Sequence, residues 1–280
     1  MASGKSILVC LLVAISINFS NGYKPVAIVH GIMFNPKDHM EGLRDAILKS
    51  HPDTEVNLLE ILHDQESFLP MWYQVSRFHA EIQKMVDKHP DGINVIGYSQ
   101  GGSIARGVIE SMPNHTIHTF ISLSSPQAGF HGEWYVPNSV FHVGTEERLS
   151  DSVAGFWKDP KDLAGYKKDK RYLACLNNEV KHELNKQFKD AICKLKHLVL
   201  IGGPDDGIVV PWQSSQFGYD DENGVIMDMR NTNLYKNDCI CLKTLDERQA
   251  ITIHTVSGVK HPDWFNNATV IENYILPYLA

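Results

Sequence analysis

The chain has 280 residues, a formal net charge of −7 and 43% hydrophobic residues, which suits one or two domains with a sizeable core. Its mildly acidic balance argues against a nucleic-acid binder, which would carry a basic patch or stripe. The 13 prolines and 20 glycines are scattered, so no low-complexity linker, collagen-like tract or internal repeat organises the chain.

Residues 1–22 read as a signal peptide. Lys5 precedes an apolar run from Ile7 to Ile15, and the small residues Ser20 and Gly22 stand at suitable spacing for cleavage before Tyr23. The run is too short to act as a retained anchor, since a hydrocarbon core needs about 20 residues, and no later stretch is long enough to span. The mature chain, 23–280, then holds four cysteines in an oxidising compartment: Cys175, Cys193, Cys239 and Cys241. Two disulfides fit that number. Cys175 with Cys193 is the preferred pair; Cys239 and Cys241 are too close for ordinary bridging and each can reach elsewhere. The rival reading, a zinc site, lacks a second pair with finger-like spacing. The same compartment makes Asn114-His115-Thr116 and Asn267-Ala268-Thr269 candidate glycosylation sites.

Along the chain, strand-like apolar runs alternate with helical periodicity, the pattern of a parallel sheet with crossover helices. Strands are expected at Val26–Val29 and Val56–Leu62. A helix follows from Phe68 to His89, where Phe68, Trp72, Val75, Phe78, Ile82 and Met85 recur at three- and four-residue spacing, until Pro90 and Gly92 end it. Next come a strand at Ile93–Gly97, a helix at Ser103–Met112, strands at Ile117–Leu123, His197–Gly202 and Ile251–Val256, and a C-terminal helix through Trp264, Val270, Ile271 and Tyr274. Over roughly 126–196 the strand rhythm stops. Trp134, Tyr135, Phe141, Phe156, Trp157, Leu163, Tyr166, Tyr172 and Leu173 are spread among charges there, which reads as an inserted helical cap. Its aromatics are candidates either for lining an acyl pocket or for packing the cap onto the body.

Gly97-Tyr98-Ser99-Gln100-Gly101 is a G-x-S-x-G pentapeptide, weak alone but set between a strand and a glycine-rich helix start, as a nucleophile elbow requires. Serine is a poor nucleophile until a base takes its proton. In the α/β-hydrolase fold the acid and then the histidine follow the serine in chain order. The strand ending at Gly202 runs into Gly203-Pro204-Asp205-Asp206-Gly207, so Asp205 or Asp206 is the candidate acid; Asp206 is favoured because Asp-Gly-Ile-Val-Val-Pro is similar to the acid loop of many hydrolases. The same residues also make a good polar turn. His261, in a loop after the last strand, is the candidate base. His254 lies within that strand, and His182 and His197 precede the acid. The oxyanion hole needs backbone N–H donors. Gln100 supplies one, and the His30-Gly31-Ile32 loop after the first strand supplies the other, at Ile32.

With these residues in place the chain resembles the palmitoyl-protein thioesterases over essentially its whole mature length. The resemblance is carried by Val29-His30-Gly31, by Gly97 to Gly102, by Ser122-Leu123-Ser124-Ser125-Pro126-Gln127-Ala128-Gly129, by Leu200 to Gly207 and by Pro211-Trp212-Gln213-Ser214-Ser215. The Gly-Gly-Pro-Asp-Asp-Gly and Pro-Trp-Gln-Ser-Ser stretches are similar to the lysosomal thioesterase branch. The resemblance implies an α/β-hydrolase fold, the triad Ser99, Asp206 and His261, lysosomal residence, glycosylation, and cleavage of long-chain fatty acyl thioesters such as S-palmitoyl-cysteine or palmitoyl-CoA. It calls for no metal and no cofactor. The cysteine set departs from the family's, so its disulfide map does not transfer. The rival functions are a lipase or carboxylesterase with the same triad, and a catalytically silent lipid-binding protein.

Overall fold

A computed structural model describes residues 22–131, 152–221 and 223–279. The short apolar runs become strands: β1 (Val26–Val29), β2 (Val56–Leu58), β3 (Ile93–Tyr98), β4 (Ile117–Leu123) and β5 (His197–Gly202). A small antiparallel hairpin, β6 (Tyr219–Asp220) and β7 (Ile226–Met227), precedes β8 (Ile251–Thr255). Six strands form one parallel sheet in the order β2-β1-β3-β4-β5-β8.

Successive side chains on a strand face opposite ways, and here both faces are apolar, as a parallel sheet covered on two sides demands. Ala27, Val29, Val95, Phe120, Leu198 and Leu200 join one core with Val75 and Phe78 of α2 (Met71–Lys88) and Ile104 and Val108 of α3 (Gln100–Ser111). Val26, Ile28, Ile96, Tyr98, Ile121, Leu123, Val199 and Ile201 face the other way, onto Leu43 and Ile47 of α1 (Glu41–Ser50) and the C-terminal Trp264, Val270 and Ile271. Each Val, Leu, Ile or Phe among them contributes about 1.5–3 kcal/mol when fully buried. The chain steps from β1 to β2 on one side and returns to place β3 on the other side of β1. A crevice therefore opens beyond the carboxyl ends of β1 and β3, where ligands bind in open α/β sheets.

Several boundaries differ from the sequence reading, each for a local reason. The second strand stops at Leu58, because Leu62 and Asp64 take left-handed backbone angles (φ 52° and 50°) that turn the chain away. The helix expected from Phe68 starts at Met71: a 3-10 turn, Asp64–Phe68, comes first, and Pro70 stands at the cap. The helix after the elbow begins earlier, at Gln100, directly from the turn at Ser99. The C-terminal helix is a series of short pieces, with Ala268–Val270 α-helical and Ile271–Ile275 π-helical before a 3-10 turn at Leu276–Tyr278 that holds Pro277. Between β4 and β5 lie α4 (Ser152–Phe156), α5 (Leu163–Lys168), α6 (Tyr172–Leu176) and α7 (Asn185–Ile192). Trp134, Tyr135 and Phe141 lie outside the described residues.

The expected Cys175–Cys193 pair is not formed. Cys193, capping α7, is bonded to Cys241, just before the helix Leu242–Glu247, with a Cα–Cα distance of 5.5 Å that suits a disulfide. Cys175 and Cys239 are free; the Cys175 thiol sits on α6 and donates to the Lys170 carbonyl oxygen at 3.4 Å. Packing of α7 against the segment before β8, not proximity in sequence, selects the partner.

Candidate active site

Ser99 sits at the tip of β3 with φ 53° and ψ −128°, a left-handed conformation that costs a non-glycine residue of order 1–3 kcal/mol. The turn closes because its surroundings have no side chains to spare. A Cβ at Gly101 would collide with the carbonyl oxygens of Val29 and His30, so only glycine lets α3 start against the end of β1. The β1 loop in turn abuts the serine: a Cβ on Gly31 would lie 3.1 Å from the Ser99 Cβ.

Ser99 Oγ lies 2.9 Å from His261 Nε2, across 162 residues of sequence. His261 opens a short 3-10 turn after β8, and its backbone N–H donates to the Asp206 carbonyl oxygen at 2.9 Å. Its Nδ1–H points into the Asp206 carboxylate, 2.8 Å from Oδ2 and 3.0 Å from Oδ1. The three side chains are all buried, yet Ser99 retains 8% exposure and His261 7%. Asp206, beyond the end of β5, is 2% exposed and accepts four further hydrogen bonds. Ile208 and Val209 N–H donate to Oδ1 at 3.0 and 2.8 Å, and Ser124 Oγ and Trp264 Nε1 donate to Oδ2 at 2.5 and 2.7 Å. Burial alone would raise this carboxyl's pKa. The His261 contact, the Ser124 hydroxyl and the Val209 N–H outweigh it and hold Asp206 below the usual carboxylate range. Tyr98 lies under the His261 ring, with centroids 5.2 Å apart, and its hydroxyl donates to the His261 carbonyl oxygen at 2.8 Å. Burial, with the charges of Asp206 and Asp263, pushes the Tyr98 phenol well up, so it stays a neutral donor.

The neighbouring aspartate does something else: Asp205 Oδ2 accepts the Gly258 N–H at 2.7 Å, tying the β5 loop to the loop that leads to His261. His254 and His182 are engaged elsewhere, with Tyr278 Oη and the Cys175 carbonyl oxygen respectively, and His197 is exposed beside His118. Ser124, Trp264 and Tyr98 have no site role in the sequence reading, although each lies in a motif or element named there. The available signals were a serine at the carboxyl end of the strand next to the elbow, and a tryptophan three residues after the histidine.

Ile32 and Gln100 border the opening above Ser99, a narrow slot partly open to solvent. Its other walls are Pro126, Phe130, Phe156, Ile208 and Val209, so all but Ser99 and Gln100 are apolar. Of the aromatics between β4 and β5, Phe130 and Phe156 line this slot, while Tyr166 and Tyr172 pack in the core with Leu173. Of the two sequons, Asn114 is exposed, whereas Asn267 is half-buried and caps the following turn by accepting the Val270 N–H at 3.1 Å. Among the described residues no helix is long and apolar enough to cross a membrane.

Comparison with known proteins agrees with this arrangement. The chain is 37% identical to Lysosomal thioesterase PPT2-B of Xenopus laevis, over 98% of this chain and 97% of the relative. It is 38% identical to Lysosomal thioesterase PPT2 homolog of Drosophila melanogaster, over 98% of each chain. It is 35% identical to Lysosomal thioesterase PPT2 of Homo sapiens, over 96% of this chain and 92% of that one. Among solved structures, Aspergillus fumigatus lipase B superposes with a TM-score of 0.53 at 14% identity, over 93% of this chain and 54% of the lipase, a likeness of fold alone. Residues 25–261 match the family described as Palmitoyl protein thioesterase. The chain therefore belongs to the palmitoyl protein thioesterase family, hydrolases built here on the α/β-hydrolase fold.

Proposed function

We propose that this protein hydrolyses long-chain fatty acyl thioesters through an acyl-enzyme on Ser99. The observation that carries the reading is the unbroken chain from Ser99 Oγ through His261 to Asp206, opening directly into an apolar slot. His261 Nε2 takes the Ser99 proton as Oγ attacks the acyl carbonyl carbon. The oxyanion forms against the N–H groups of Ile32 and Gln100. The C–S bond then breaks, the thiol leaves with the proton held by His261, and an acyl-Ser99 ester remains. Water, deprotonated by His261, attacks that ester; the fatty acid leaves and Ser99 regains its proton. Asp206 keeps Nδ1 protonated and stabilises the imidazolium that forms. A thiol of pKa about 8.5 leaves more readily than an alcohol, so thioester preference needs no dedicated sulfur site. The apolar slot of Phe130, Phe156 and Ile208 takes the start of the acyl chain. The reading extends to a signal peptide over residues 1–22, a helical cap over roughly 126–196, N-glycans at Asn114 and Asn267, and work in the lysosomal lumen; the relatives are named lysosomal thioesterases.

Purified protein is expected to turn over palmitoyl-CoA and an S-palmitoyl peptide in preference to triglyceride or short p-nitrophenyl esters. Ser99→Ala abolishes turnover and labelling by a fluorophosphonate probe. Preference for triglyceride overturns the substrate class, and labelling that survives Ser99→Ala overturns the nucleophile.

A further inference from the structure

One buried polar cluster beside the site is not used by the mechanism above. Ser67, at the end of the 3-10 turn Asp64–Phe68, has no exposed surface, and neither has Gln74 on the first turns of α2. Ser67 Oγ accepts the Met33 N–H at 2.8 Å and donates to the Asp64 carbonyl oxygen at 2.5 Å. The Ser67 carbonyl oxygen accepts two side-chain amides, Gln100 Nε2 at 2.7 Å and Gln74 Nε2 at 2.8 Å. Gln74 Nε2 also reaches the Leu69 carbonyl oxygen at 2.5 Å, and Gln74 Oε1 lies 3.3 Å from Gln100 Nε2. One residue therefore holds both strands of the oxyanion site: through its hydroxyl the residue after Ile32, and through its carbonyl the side chain of Gln100.

At the other end of the Ile32 peptide the Gly31 carbonyl oxygen faces the buried His30 ring. His30 Nδ1 lies 2.8 Å from the Gly31 carbonyl oxygen, and His30 Nε2 2.9 Å from the Ile61 carbonyl oxygen. In a planar trans peptide the C=O and the following N–H point in opposite directions. With the Gly31 carbonyl facing the His30 ring, the Ile32 N–H points away from that ring. On the next residue the Met33 N–H is spent on Ser67. Ile32 therefore lies between the Gly31 carbonyl at the His30 ring and the Met33 N–H on Ser67, and the residue lines the slot that contains Ser99.

We infer that Ser67 is a positioning residue that sets the Ile32 and Gln100 N–H donors in register with each other before the oxyanion forms, buttressed by Gln74. This inference rests on the serine-hydrolase reading proposed above. Its physical basis is preorganisation: donors already aimed at the developing charge do not reorganise during the reaction, and a displacement of about 1 Å at such a site costs on the order of 100-fold in rate.

The test is Ser67→Ala in the full chain, assayed on palmitoyl-CoA. The expected result is a kcat lowered between about 10-fold and about 100-fold with KM within about 2-fold, since the loss falls on the transition state and not on ground-state binding. Affinity for a long-chain trifluoromethyl ketone, which forms a tetrahedral adduct, falls in step with kcat. The shape of the pH profile stays unchanged, because no ionising group is touched. Ser67→Thr, which restores the hydroxyl, recovers part of the loss. Gln74→Met leaves Ser67 intact and gives a smaller fall in kcat, and it decides the matter should Ser67→Ala not fold. A kcat within about 2-fold of the native value in the folded variants, or a rise in KM at constant kcat, overturns the positioning role. Ser99→Ala run alongside separates the two readings: if it retains turnover, the catalytic reading fails, whatever Ser67 does.

Discussion

Asp206 and Glu110, two buried carboxyl groups among the described residues, are treated in opposite ways. Asp206 receives the His261 imidazole and four other donors from three different segments of chain. Glu110, on α3 and fully buried, receives none: neither carboxyl oxygen has a hydrogen-bond partner among the described residues. Arg106 Nε approaches Glu110 Oε1 at 3.7 Å, too far for a hydrogen bond, and the guanidinium gives its good contact to Asn177 Oδ1 at 2.8 Å and its face to Phe217. Burial therefore prevails at Glu110 and pushes its pKa up to about 8, only partly opposed by the Arg106 charge. At Asp206 the donors prevail and the carboxyl is held low. Depth alone does not set the charge of a buried acid; the count of donors aimed at it does.

The comparison can be broken at either end. Asp206→Asn leaves the packing in place but presents an amide to His261 Nδ1, which favours the wrong tautomer. Its kcat on palmitoyl-CoA is expected to fall on the order of 10⁴-fold. A loss below 10-fold would show that the donor-rich carboxylate is structural only.

Glu110→Gln tests the other acid. A carboxyl whose pKa is higher in the folded than in the unfolded chain binds more protons in the native state, so its contribution declines as pH rises from the unfolded value of about 4.5 to about 8. The amide removes that decline. Urea unfolding of the variant is expected to show a gain of about 3 kcal/mol over the native protein at pH 7 and almost none at pH 4. Equal pH slopes for the two proteins would contradict a neutral Glu110.

Trp264→Phe keeps most of the packing and removes one donor from Asp206. The loss of a hydrogen bond to a charged group is expected to lower stability by about 1.5–3 kcal/mol at pH 7, measured by denaturant unfolding. The smallest effect is expected at Ser124→Gly. It removes a second donor but also relieves a left-handed backbone (φ 43°), so the two contributions partly offset and stability shifts by about 1 kcal/mol or less. If Ser124→Gly proves more damaging than Trp264→Phe, the hydroxyl dominates the donor set.

How much of this was legible beforehand varies by residue. Ser99 announced itself through glycine spacing between a strand and a helix, because steric constraints at a tight turn act within a few residues. Asp206 and its neighbour Asp205 were equivalent as letters in one turn. They separate only because β5 and β8 run side by side, which brings His261 over one carboxylate and the Gly258 N–H onto the other. The cysteines misled for the same reason: the near pair in sequence is not the near pair in space.

The sequence by itself determined the buried strands, the strand–turn–helix at Ser99 and the chain order of serine, aspartate and histidine, since periodicity and local sterics are properties of short segments. Only the tertiary structure decided the partner of Cys193, the donors gathered on Asp206, the tie from Ser67 to Met33 and Gln100, and the bare carboxyl of Glu110. Those depend on contacts between residues tens to more than a hundred positions apart, and sheet register and helix packing set such contacts with no local trace in the chain.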